Sequence, residues 1–310
     1  MNKNLIVSPS PHIRASVTST RIMLDVIIAL VPTLIASTVI FGFRSLAVTA
    51  LCVAVCVASE WGFEKICKRE VTIGDLSAVV TGMLLAFNLP AGIPLWQAAF
   101  GSIVAIVAVK QLFGGIGCNF ANPAITARIV MLLSFSGTMA EFSVADAVSS
   151  ATPLSLMGTE EMPTLLDLFL GNHAGSLGET CALTLLIGGV YLIARRIISW
   201  HTPVVYLATV ALFTLVLGEN PLYHLLSGGL ILGAFFMATD YSTTPQTPWG
   251  KVIFGIGCGL ITVIIRVFGS YPEGVSFAIL LMNILTPYIN NLTRRKPFGA
   301  IKKSKAPKKA

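Results

Sequence analysis

The side chains of this chain that could do chemistry fall into three groups. One is the segment Asp146-Ala147-Val148-Ser149-Ser150-Ala151-Thr152-Pro153-Leu154, a carboxylate and three hydroxyls among small residues. A residue before proline is driven to an extended conformation, so by residue type alone this is a turn. The next group holds Gly114, Gly115 and Gly117, which permit close backbone approach, and Asn119 and Asn122, which offer amide donors and acceptors. Asp240 ends a later apolar run at the same depth. Taken singly, a Gly-Gly-x-Gly run is more often a turn than a cofactor cradle. The third is Arg266, late in an apolar run, where an arginine deep in lipid costs at least about 2.5 kcal/mol. It either snorkels to the interface or meets a phosphate or carboxylate. The six cysteines form no CxxC pair, so neither a zinc site nor a four-thiolate iron–sulfur cluster has its usual spacing. Cys52 and Cys56 share a helix face and read as packing.

The elements that must position these groups are membrane spans. Only 11% of the 310 residues are charged and 55% are hydrophobic, against about 25% charged in a soluble domain. Mean hydropathy is +0.81. The apolar residues run in blocks that are apolar on every face, as in a lipid-embedded helix. Ten candidate spans emerge: 22–43, 45–59, 76–89, 95–109, 124–135, 181–194, 203–217, 223–239, 252–268 and 275–289. A span needs roughly 20 apolar residues, so 76–89 and 124–135 are either extended by polar flanks or broken helices buried among neighbours. The polar stretch 1–21 carries no cleavable signal, so the first span is its own insertion signal.

Ten spans with both termini cytoplasmic place 19 of the 21 basic residues inside, Lys110 and Arg128 among them, and only Arg44 and Arg266 outside. The extracytoplasmic loop 136–180 has Glu141, Asp146, Glu160, Glu161, Asp167 and Glu179 and no Lys or Arg. The chain therefore divides into a cytoplasmic segment 1–21, a five-helix half 22–135, the acidic loop 136–180, a second half 181–290 and a basic cytoplasmic tail 291–310. The net charge of +7 is mostly topology, and the tail suits anionic lipid rather than nucleic acid. An odd number of crossings inverts the second half, so a duplicated unit would be an inverted repeat. The third span, Ser77 to Pro90, and the eighth, Ser227 to Asp240, occupy equivalent places and both run from a serine through small residues to a polar end. The expected fold is all-α, with about ten transmembrane helices in two inverted five-helix repeats.

At the first of these groups the sequence resembles a known family. Asp146 to Leu154 is similar to the flavinylation motif of the family shared by the D subunit of the Rnf ion-translocating ferredoxin:NAD oxidoreductase and the B subunit of the sodium-pumping NADH:quinone reductase. The resemblance covers nearly the whole chain, with its pieces in family order: 19–24, 77–90, 110–124, 146–154, 196–203, 224–228, 233–240 and 265–275. It implies FMN joined by a phosphoester to Thr152, attached by a flavin transferase, with Asp146, Ser149, Ser150 and Ala151 around it. It implies a second, non-covalent flavin, usually riboflavin, near Asn119, Asn122 and Asp240, and makes the FMN phosphate a candidate partner for Arg266. It further implies a bacterial inner-membrane complex whose other subunits include a second covalent-flavin subunit and membrane iron–sulfur subunits. The shorter amino-terminal portion favours the Rnf branch. The chain departs from the family after Asp240, with Tyr-Ser-Thr-Thr-Pro where many relatives have Pro-Val-Thr, and at Cys118 and Phe120-Ala121.

A tethered flavin would need no rebinding from dilute solution, and the cofactor itself does the electron chemistry. No dinucleotide fingerprint sits in a strand–helix setting, so NAD chemistry belongs to the rest of the complex. The rival reading is a ten-helix channel or solute transporter, urea-permease-like, with no redox role; covalent flavin separates the two.

Overall fold

The computed structural model describes residues 17–142, 153–154, 162–269 and 274–294. Among them every regular element is helical, save an isolated bridge between Pro90 and Ser176. Four helices are long and apolar enough to cross a membrane: α1 (Ser19–Phe41), α2 (Phe43–Ile66), α12 (Pro248–Phe268) and α13 (Val275–Thr293). Between them lie α3 (Ser77–Phe87), α4 (Leu95–Ile103, continued in π-helical turns over Val104–Gln111), α5 (Pro123–Ser134), α6 (Ser136–Ala140) and α7 (Leu165–Leu170). After these come α8 (Ala182–Ala194), α9 (His201–Val216), α10 (Pro221–Leu226) and α11 (Leu230–Leu232, continued in π-helical turns over Gly233–Met237).

Two of the expected spans differ in a way that matters. The second does not stop at residue 59: α2 continues to Ile66, because Glu60 and Glu64 are buried against partners instead of facing lipid. The eighth is not one helix. It breaks at Ser227-Gly228-Gly229, where both glycines take left-handed φ, 68° and 66°, into the short α10 and the interior α11. Residues 136–180, expected as one loop, hold the short helices α6 and α7.

α3 and α11 are the centre of the molecule. All but one residue of α3, and all of Leu230–Met237, are buried, so neither offers a face to lipid. Such interior half-helices are stable in a bilayer only if their freed backbone groups find partners. The strand-like stretch 176–178 supplies them for α3, through Gly178 N–H to Phe87 C=O at 2.9 Å and Leu177 N–H to Leu89 C=O at 3.0 Å. Arg44 donates to the carbonyls of Ala91, Gly92 and Ile93 just beyond, at 2.9, 3.2 and 3.2 Å.

Around these two, α1 packs on α8 and α2 on α3, while α9 pairs with α12 and α5 with α13. Close approach is made by small residues, as expected where lipid removes any hydrophobic drive between helices. A Cβ at Gly188 would lie 2.3 Å from the Ala29 carbonyl oxygen on α1, and one at Gly82 would lie 2.7 Å from Val53 Cα on α2. Polar bolts add to this: Tyr206 Oη and Thr262 Oγ1 join α9 to α12 at 2.6 Å, and Asp25 on α1 takes Tyr191 Oη and Arg195 of the α8 end at 3.0 and 3.2 Å.

Candidate functional site

α3, α5 and α11 converge with the first turns of α1 and the end of α8 on one cavity of about 540 Å³. That is within the 300–1,000 Å³ of small-molecule sites. It is walled by Val80 and Leu84 of α3, Phe235 and Phe236 of α11, Ile22 and Met23 of α1 and Leu192 of α8. Polar groups reach it from Thr81, Lys110, Asn119, Asp240, Tyr241 and Ser242. A smaller cavity of about 230 Å³ adjoins it past Thr239 and Tyr241 and reaches Lys251.

The second sequence group is gathered here. Gly114, Gly115 and Gly117 take φ of 119°, 93° and 83°, which a side chain would rarely allow, so the loop turns tightly enough to bring Gly117 and Asn119 onto the cavity wall. Asn122, with Pro123 at the first helical position, caps α5: its Oδ1 accepts from Ala124 N–H at 3.0 Å and Ile125 N–H at 3.3 Å, while Nδ2 donates to the Met237 carbonyl at 3.3 Å. Its amide is thus committed to joining the start of α5 to the end of α11. Asn119 Nδ2 donates to Ser242 Oγ at 3.1 Å, and Ser242 Oγ to Asp240 Oδ2 at 2.9 Å, so these three form one string along the wall. Burial raises the Asp240 pKa, and the hydroxyls of Ser242 and Thr243 oppose that rise. Asn119, Asn122 and Asp240 therefore share one cavity, each already hydrogen-bonded.

The first group, Asp146, Ser149, Ser150, Ala151 and Thr152, lies outside the described residues. The two residues that follow it are described. Leu154 packs where a Gly228 side chain would project, its Cδ1 2.2 Å from an added Cβ, with an Arg266 nitrogen 2.9 Å from the same point. Arg266 does not snorkel, and the buried carboxylate of Glu179 lies within its electrostatic reach. Arg266 donates to the carbonyls of His224, Ser227 and Gly228 at 2.6, 2.9 and 3.2 Å, closing the broken end of α10, and leaves its buried Nε without a partner among the described residues. The arrangement matches Arg44 after α3: the two basic residues set apart by the charge pattern are both carbonyl clamps on interior breaks.

Arg128 joins them, against its assignment to the lysine-rich side. Its Nη1 donates to Ser276 Oγ at 2.6 Å in the first turn of α13, the end opposite Arg294. The reason is that α5 starts inside the bundle at Asn122 and carries Arg128 away from the surface. Sequence reasoning also passed over Glu60, Glu64 and Gln111, which gather with Lys110 beside the cavity. Two glutamates four residues apart inside an apolar run were the available signal.

With this geometry in hand, the chain can be set beside known proteins. The model of the NQR2, RnfD, RnfE family matches residues 6–299. The D subunit of the Na(+)-translocating ferredoxin:NAD(+) oxidoreductase complex of Acetobacterium woodii is 51% identical over 98% of this chain and 98% of its own length. Its proton-translocating counterpart from Clostridium ljungdahlii is 38% identical over 96% of this chain and 98% of its own. The D subunit of an ion-translocating oxidoreductase complex from Stutzerimonas stutzeri is 39% identical over 93% of each. Matched over residues 6–299 by the family model and over nearly its whole length by these relatives, this chain belongs to the NQR2, RnfD, RnfE family.

Proposed function

We propose that the chain is the flavin-carrying membrane subunit of an Rnf-type complex, which moves electrons between ferredoxin and NAD and couples them to Na+ or H+ transport. The observation that carries this is the cavity at the junction of α3, α5 and α11, where Asn119, Asn122 and Asp240 meet apolar walls. Phe235, Phe236, Val80 and Leu84 suit the faces of a planar ring system, and the Asn119–Ser242–Asp240 string suits its polar edge. A flavin held there supplies one-electron chemistry, and the residues hold it, exclude water and tune its potential. A second flavin, FMN on Thr152, belongs to the segment that ends in Leu154 against Gly228 and Arg266. The Arg266 Nε, buried and without a partner among the described residues, is a donor open to its phosphate. The partners are the other Rnf subunits, including a second covalent-flavin subunit and iron–sulfur membrane subunits, and a flavin transferase for maturation.

For the cavity the test is extraction. Acid treatment of the complex carrying Thr152→Ala should still release riboflavin or FMN from this subunit. Adding Thr81→Trp, which fills the wall without disturbing the Asn122 cap, should cut that yield by about tenfold, since a filled pocket cannot bury a ligand. An unchanged yield would place the flavin elsewhere, and no flavin at all would remove the second station.

The same proposal includes ten spans in two inverted five-helix repeats, in a bacterial inner membrane with both termini cytoplasmic. Its support is structural. α3 and α11 both start from a left-handed residue, Leu76 at φ 63° and Gly229 at φ 66°, and both are interior. α1 pairs with α8 and α5 with α13, the pairings that a twofold axis in the membrane plane maps onto each other. A lone cysteine at Glu160 in a cysteine-free variant should react with an impermeant thiol reagent from outside, and one at Lys68 should not. The reverse pattern would turn the molecule over and put Thr152 on the wrong side.

A further inference from the structure

Lys110 and Ser77, on the cavity wall, end a hydrogen-bonded chain of titratable groups that the proposed function leaves unused. Glu60 and Glu64 are one turn apart on the same face of α2, 0% and 2% exposed. Lys110 Nζ lies 2.6 Å from Glu60 Oε1 and 2.5 Å from Ser77 Oγ. Gln111 Nε2 donates to the same Glu60 oxygen at 2.7 Å and to Glu64 Oε1 at 3.4 Å. Two successive residues thus meet one carboxylate, which the π-helical turns of Val104–Gln111 allow; such turns recur at functional sites. Glu64 accepts from Thr72 Oγ1 at 2.5 Å, and Thr72 is exposed at the lysine-rich end. The chain therefore runs from solvent at Thr72 to the cavity at Lys110.

Its charges do not balance. Glu60, Glu64 and the half-buried Asp75, which takes Ser77 Oγ, face a single ammonium; Arg69 gives its Nη1 to the Gln111 carbonyl instead. Among the described residues, Glu60 Oε2 and Asp75 Oδ2 are buried without a partner. Cys56 lies one turn before Glu60, and Asp240 and Tyr241 also line the cavity; among the described residues the ion pair on these carboxylates is that of Lys110 with Glu60.

We propose that Glu64, Glu60 and Lys110 form a proton relay from water at Thr72 to the ligand in the cavity, resting on the reading of that ligand as flavin. With a flavin bound and reduced by a one-electron donor of the complex, Lys110 would give up an Nζ proton to it, one proton for each electron taken. Neutral Lys110 takes the proton of the Glu60 carboxyl, Glu60 is reprotonated at its unpartnered Oε2 when the Glu64 carboxyl, one turn away and held by the same Gln111 amide, turns toward it, and Glu64 is reprotonated from water. The net uptake is one proton from the lysine-rich side.

Lys110→Arg separates this from a structural ion pair, because a guanidinium keeps the charge and the Glu60 contact but does not give up its proton. The experiment uses the whole complex carrying Thr152→Ala, with flavin content measured first by acid extraction. An absence of flavin there would defeat the flavin reading and with it the relay's acceptor. With flavin present, Lys110→Arg should slow its proton-coupled reduction by dithionite about a hundredfold, the scale of one general acid. Glu64→Gln should do the same, and it decides the matter if the arginine variant does not assemble. Without turnover, the infrared spectrum of the resting complex should show a carboxylic-acid C=O band that shifts in heavy water and weakens in Glu64→Gln. Full flavin content with unchanged rate and unchanged band would overturn the relay. So would a Glu64→Gln effect confined to the Na+ requirement, with the pH profile intact.

Discussion

Thr152→Ala is expected to abolish the fluorescent band that the chain, coexpressed with a flavin transferase, gives on a denaturing gel. The segment Asp146 to Leu154 offers several hydroxyls, but the resemblance singles out the one directly before Pro153. Denaturation strips every non-covalent flavin, so the readout isolates the phosphoester and is blind to the cavity. The expected loss is complete rather than graded, because removing the oxygen removes the bond. Thr152→Ser keeps the hydroxyl and should retain part of the signal. The functional cost should also be large: a tether raises the local concentration of a cofactor enough to be worth 10²–10⁴ in apparent affinity. Electron transfer through the complex should therefore stop in Thr152→Ala even with FMN added at micromolar levels. A band of undiminished brightness would place the flavin on another residue.

The second large effect is expected at Gly82, where α3 crosses α2. An added Cβ would lie 2.7 Å from Val53 Cα, 2.9 Å from Val53 N and 3.0 Å from the Cys52 carbonyl oxygen. These are backbone atoms of α2 and cannot rotate aside. Gly82→Leu must push α3 off α2, and α3 has no lipid face to move toward, since all but one of its residues are buried. Overpacking of this kind costs about 1–3 kcal/mol or more. The same helix supplies Val80, Thr81 and Leu84 to the cavity wall, so the displacement opens the site as well as loosening the bundle. The purified variant should lose non-covalent flavin and melt several degrees lower. Gly62→Ala, on α2 with nothing within 4 Å of its added Cβ, should match the wild type in both measures. If Gly82→Leu also matched it, the α2–α3 contact would not hold the cavity.

How much of this was legible beforehand varies from residue to residue. The cap of α5 carries a local signature, asparagine followed by proline at the first helical position, yet Asn122 was read for its amide as a ligand group and is found as that cap. The glycine loop was readable, and its three left-handed φ values are what those glycines are for. The end of α2 was not. Glu60 looks like the end of a span when lipid is the assumed surroundings, and only Lys110 and Gln111, about fifty positions later, make it tolerable inside. Arg128 was assigned to the wrong end of the bundle for a related reason: its partner Ser276 is remote in sequence, and charge counting assumes that a basic residue stops where its span stops.

By itself the sequence determined the membrane class, the approximate place of the helices and the family, because each rests on local composition or on contiguous motifs. Hydropathy is additive along a chain, and a lipid solvent leaves helices as the one economical way for such runs to satisfy their backbone. Tertiary structure alone decided that α3 and α11 are interior, that Arg44 and Arg266 clamp broken helix ends, and that Lys110 ties the glutamates of α2 to the cavity. The clamps and the Lys110 tie each pair a buried polar group with a partner some tens of residues away. Such a group is strongly unfavourable alone and acceptable when paired, so its meaning depends on the partner, which no local pattern encodes.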